Sequence, residues 1–417
     1  MTKITTPFGV LAVSVRQVSC RSILFIGAAL MVAPLAISDA QAQLNCAAPV
    51  IPGLPIGLEA VPAAGCSVLA AGVSMSSIFT TVNTTFLTHT TAFVGSPTDR
   101  PPDSWGGGVW IRGVGGRTET SATGTLVISG VTPAPITAVS DAQSRASFGG
   151  FQAGIDLARL SLGGSGWNFH AGVTGGYMGA EAESQAASQT IKFDVPFAGI
   201  YAALINASGF YIDGQLRWDF YDMTATNATV GLADQPFSGR GITLTGSVGQ
   251  RFELGSGWFI EPSVGVIWSR VSVDVLPIPG GPSPLFPFPL PAGTASFDDV
   301  SSLIGRAGVR AGTGFVAGPL ALQPYVTASL WHEFADDVTA RFSCGVPCPP
   351  LGLDLTTSRI GTYGQFGVGI AGQIIDTGWL GYARFDYRTG ENIEGYSLNA
   401  GLRYQWDQGA RVVRSKY

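Results

Sequence analysis

Along Tyr396 to Trp406 every second residue is apolar or aromatic: Tyr396, Leu398, Ala400, Leu402, Tyr404 and Trp406. The residues between them, Ser397, Asn399, Gly401, Arg403 and Gln405, are polar or small. Successive side chains of a strand point to opposite faces, so this stretch has one oily face and one wet face. Soluble strands are usually about half as long; this length suits a strand that crosses a bilayer with lipid on one side only. After residue 42 the longest apolar run is Val195 to Ile205, so a spanning helix is not expected. Without helices, a chain in lipid satisfies its backbone groups only by closing a sheet on itself. A charged fraction of 12% and 57 glycines fit such a barrel better than a soluble domain.

The first 42 residues read as an export signal. Lys3, Arg16 and Arg21 form a basic lead, Ile23 to Ile37 an apolar run, and Ala40-Gln41-Ala42 a small-x-small cleavage site. Removing those three cations and Asp39 from the 23 basic and 28 acidic residues leaves a net charge of −7. A mildly acidic chain without a basic cluster argues against nucleic-acid binding. Export also permits disulfides, and the four cysteines of the mature chain form two close pairs, Cys46 with Cys66 and Cys344 with Cys348.

Alternation recurs from residue 105 onward. It predicts about twelve antiparallel strands: 105–117, 146–159, 166–180, 190–205, 209–222, 240–254, 257–274, 300–314, 319–334, 359–374, 378–389 and 395–406. Gly-aromatic pairs open several of them after tight turns: Gly166-Trp167, Gly209-Phe210, Gly257-Trp258 and Gly378-Trp379. Trp167, Trp258, Trp379, Tyr404 and Trp406 would form a girdle at the periplasmic rim, where amphipathic rings favour the headgroup level. At the other rim the connections are long: Arg117 to Arg145, Met223 to Gly239, Leu276 to Ser296, and Ala335 to Thr357. The third of these is rich in proline and should be stiff and extended. Ahead of the strands, Met75, Phe79, Val82, Phe86, His89 and Phe93 recur at helical spacing. A helix over Ser67 to Val94 is long enough to thread the lumen.

Parity turns Arg217, Arg306, Arg310, Arg384, Arg388 and Arg403 inward, among Asp213, Asp219, Glu261 and Asp386. These charges either pair with one another and with the inserted helix, as buried charges must, or line a pore for small solutes. His332, near Glu333, Asp336 and Asp337, is the one candidate for acid–base chemistry at the outer rim. Neighbouring residues on a strand face opposite ways, so His332 would not meet Glu333. No phosphate loop, zinc-ligand spacing, cofactor fingerprint or Gly-x-Ser-x-Gly elbow is present, so neither an enzyme nor a cofactor is expected.

Tyr382-Ala-Arg-Phe-Asp-Tyr-Arg-Thr-Gly390 and Ile393-Glu-Gly-Tyr-Ser-Leu-Asn-Ala-Gly-Leu-Arg-Tyr404 resemble the closing strands of bacterial autotransporter translocators, the type V secretion family. Gln323-Pro-Tyr325 and Trp331-His-Glu-Phe334 extend the resemblance upstream. It implies an all-β transmembrane barrel of twelve strands with an N-terminal α-helix in its lumen, exporting an N-terminal passenger. It further implies Sec-type export to the cell outer membrane, contact with outer-membrane lipid, periplasmic chaperones, and a barrel-assembly machinery that reads a terminal aromatic. Trp406 is expected to serve as that signal. The expected organisation is a signal peptide over 1–42, a short N-terminal segment over 43–66 in the place of a passenger, helix and linker over 67–104, barrel over 105–406 and a tail over 407–417. A monomer is expected, acting as translocator or surface scaffold.

Overall fold

The computed structural model describes residues 42–43, 46, 61–87, 101–129, 135–281, 292–344 and 352–406. Residues 1–41, where the export signal is expected, His89, Phe93, most of the proline-rich connection, Cys348 and the tail lie outside them.

Twelve antiparallel strands form a closed ring. The first six are β1 (Ser104–Ser129), β2 (Ile136–Leu160), β3 (Trp167–Ser184), β4 (Gln189–Asn206), β5 (Phe210–Asn227) and β6 (Leu232–Gln250). The rest are β7 (Trp258–Val273), β8 (Val300–Thr313), β9 (Leu320–Glu333), β10 (Thr362–Ile374), β11 (Trp379–Gly390) and β12 (Ile393–Trp406). Each pairs with its neighbour in sequence, and β12 returns to β1 from Ile393 opposite Thr120 to Trp406 opposite Gly107. The seam therefore leaves no open edge at this level, as a bilayer requires.

Parity holds through the lipid-facing band. On β5, Ile212, Trp218 and Phe220 point outward and are exposed, whereas Gln215, Arg217 and Asp219 are buried inside. At the rim with short turns, Trp167 meets Phe210 edge-on at 6.0 Å and Trp379 lies 5.1 Å from Tyr404. One turn is tight enough to require glycine: Gly257 has φ 81°, and a Cβ there would sit 2.4 Å from the Gly314 carbonyl oxygen.

At the opposite rim the described residues of the expected long loops are largely strand. β1 and β2 continue past the other walls as a hairpin reaching Ser129 and Ile136. Gly352–Thr357 pairs with β1, Val338–Cys344 with Gly352–Thr357, Gly293–Phe297 with Val338–Cys344, and Leu276–Ile278 with Gly293–Phe297. These extensions make a crown, and within it the hydrophobic pattern turns inside out. Glu119, Thr123, Asp141, Gln143, Arg145, Lys192 and Asp222 point outward, while Ala122, Leu126, Ile128, Ala142, Ile191, Phe193 and Met223 point inward. Water now surrounds the wall, so the apolar side must turn to the interior.

That interior is filled by helix α1 (Val61–Leu87), which starts ahead of Ser67 and takes in Cys66. Every described side chain from Pro62 to Thr85 is buried. By length and composition this segment could span a bilayer, contrary to expectation, but it is enclosed by protein on all sides. A helix apolar and small-residued all round belongs in a core, and this one packs with the inward crown side chains into a single cluster.

Candidate functional site

The chemistry-bearing feature of this molecule is the filled lumen. α1 enters from the crown. Gly65 lies against Leu126 and Leu353, Leu69 against Gly124, Gly72 against Thr357, and Phe79 lies 4.6 Å from Tyr221. Ser67 bonds Gln189, and Ser74 lies 3.1 Å from Ser144. Toward its C-terminal end the helix reaches the polar wall of the lipid-facing band. Arg217 donates through Nη1 to the Val82 carbonyl (3.3 Å) and through Nη2 to Asn83 Oδ1 (3.2 Å). Its Nε lies 2.6 Å from Asp219. Asn83 donates to Ser269 at 2.8 Å, and Thr243 lies within 3.1 Å of Asn83 Oδ1. Val82 and Asn83 lie ahead of the last turn of α1, which ends at Leu87, so Arg217 grips the body of the helix and not its terminus.

The other arginines expected in the lumen are all turned inward. Arg310 pairs with Glu261 at 2.6 Å, and Arg384 with Asp386 at 2.7 Å. Arg306 lies over the Trp331 ring at 5.6 Å and near Ser329. Arg388 is buried at the outer end of β11, and Asp213 accepts from Ser247 at 2.5 Å. Arg403 makes a bidentate pair with Asp156 (2.6 and 2.8 Å), both side chains fully buried. Asp156 also meets Tyr201 OH at 2.8 Å and His170 Nδ1 at 3.2 Å. Asp156 was not singled out in the sequence, although its place between the outward Ile155 and Leu157 gives it inward parity.

His332 and Glu333 do face opposite ways. His332 lies 2.6 Å from the Thr362 hydroxyl, while Glu333 accepts from Ser302 at 2.5 Å and from the Leu303 amide at 2.7 Å. Among the described residues no group of three His, Cys, Asp or Glu side chains could hold a metal ion.

The N-terminal segment is tied to the crown. Cys46 and Cys66 form a disulfide, Cys46 Sγ lies 3.4 Å from Ser140 Oγ, and Ala42–Gln43 pairs in parallel with Ala138 and Val139 of β2. Cys344 is oxidised as well; the expected pairing with Cys348 falls outside the described residues. Trp406 ends β12 beside Gly107, where a Cβ would lie 2.8 Å from its ring.

The family model described as Autotransporter beta-domain matches residues 109–386. Pertactin autotransporter of Bordetella parapertussis is 27% identical over 264 residues, which make up 62% of this chain and 26% of that protein. BrkA autotransporter of Bordetella pertussis is 29% identical over 221 residues, 50% of this chain and 19% of the relative. The chain thus aligns with about a quarter or less of the length of these relatives. The crystal structure of the transport unit of the autotransporter AIDA-I from Escherichia coli has a TM-score of 0.54 at 15% identity, covering 80% of this chain and 98% of that one.

Proposed function

Because this chain belongs to the autotransporter β-domain family, an outer-membrane translocator family, we propose that it carries its own residues 43–66 across the outer membrane and holds them at the cell surface. One observation carries this reading. The N-terminal end of α1 and Gln43, the first residue after the expected cleavage site, lie in the crown, whereas β1, which follows α1 in sequence, starts at the opposite rim beside Trp406. Ends placed on opposite sides in this way support passage of the chain through its own barrel. Disulfide, strand pairing and helix then keep the exported segment in place, which makes the protein a surface scaffold as well as a translocator. A pore for small solutes is the weaker reading, since α1 occupies the interior.

The test is an epitope inserted between Cys46 and Cys66. Antibody should bind it on intact cells; binding only after the outer membrane is permeabilised would sink the reading. We further assign Trp406 and Tyr404 the role of assembly signal, read by the barrel-assembly machinery after periplasmic chaperones deliver the monomeric chain. Trp406→Ala should lower the yield of barrel showing heat-dependent gel mobility several-fold. An unchanged yield would remove Trp406 from that role.

A further inference from the structure

The inverted pattern of the crown leaves a chamber lined by Leu126, Ile128, Phe193, Met223, Phe342 and Leu353, above the level where the outer wall turns from apolar to charged. Left empty, such a chamber would hold apolar surface against water. Its occupant is a segment poorly equipped to be helical alone. α1 carries threonines and glycines, no acidic residue in its first turn and no basic residue in its last. A segment of that kind gains its helix from packing, not from propensity. The seats are specific: the Leu69 side chain fills the space over Gly124, and the backbone at Gly65 and Gly72 approaches Leu126, Leu353 and Thr357 closely. Below them, Arg217, Thr243 and Ser269 hold Val82 and Asn83 and fix how far the helix can advance.

We propose that the crown is the receptor for α1: it captures the segment as it leaves the barrel, folds it into a helix, and by burying it ends export with residues 43–66 outside. This rests on the export reading above and adds where the chain is caught and what stops it. Capture in the crown requires only that the segment emerge unfolded; the apolar chamber and the glycine seats then act as a template of fixed depth.

Gly124→Leu tests this, because it fills the seat of Leu69 from the wall side without touching the lipid-facing band. The variant should assemble into a heat-modifiable barrel yet show at least tenfold lower antibody signal for an epitope between Cys46 and Cys66. In planar bilayers the purified protein should pass from closed to conducting. Adding Leu69→Ala should restore both within about twofold. Retention of surface signal and closure by Gly124→Leu, or losses that Leu69→Ala does not rescue, would overturn the proposal. If Gly124→Leu fails to assemble, Leu69→Asp on an unaltered wall takes its place; surface signal and closure at wild-type level would then be the overturning result. An unlabelled wild-type chain would sink export itself, while the bilayer measurement still decides whether the crown captures the helix.

Discussion

Arg403 reaches Asp156 across an intervening strand because β1 presents Gly108 there; a Cβ at that position would lie 2.8 Å from the guanidinium. The pair therefore links β12 to β2 over the seam where the ring closes. Removing one partner of a fully buried pair leaves the other charge uncompensated and costs about 3–5 kcal/mol. Arg403→Gln should accordingly lower the temperature at which the barrel unfolds on gels. An apolar double replacement of Arg403 and Asp156 should recover much of the loss, and equal unfolding temperatures for all three proteins would refute the assignment. At this scale the sequence was informative about direction and silent about partners. Arg384 and Asp386 lie two apart on one strand, so their shared face follows from the period of two, and the structure adds their pairing. Arg403 and Asp156 are 247 positions apart, and only ring closure brings them together.

At the scale of elements, the lipid-facing strands were legible because one rule governs them, oily outside and wet inside. The crown was not, for the same reason. Past Phe220 on β5 the rule reverses, with Asp222 outward and Met223 inward, so a search for outward apolar residues ends the strand there and reads a loop. The helix was legible in its larger residues Met75, Phe79 and Val82; its start at Val61 was hidden by small residues such as Ala63 and Ala64, which pack closely without marking a face. As the filling of both crown and upper lumen, α1 should control conductance. Deleting Val61–Leu87 should turn a closed protein into one with steady single-channel currents in planar bilayers, and currents that stay at baseline would show that another segment seals the lumen.

The whole molecule has two solvents along one continuous wall, lipid for the lower part and water for the crown. The two parts are distinguishable by tryptophan. Trp218 and Trp268 point outward within the band, and Trp331 is buried inside, stacked on Tyr363 at 5.9 Å. In vesicles containing brominated lipid, a variant retaining only Trp218 should be quenched strongly and one retaining only Trp331 hardly at all. Equal quenching would contradict the assigned inside and outside of the ring.

The two-residue strand at Ala42–Gln43 runs parallel to β2, and β2 descends from the crown toward the opposite rim. After the expected cleavage behind Ala42, a pull at Gln43 directed away from the cell would act along the strand axis and load its remaining bridge to Val139 in shear. Once that bridge yields, tension would pass through Cys46–Cys66 into the second turn of α1. Under such a load the covalent link would take up the strain after the weakest bonds let go.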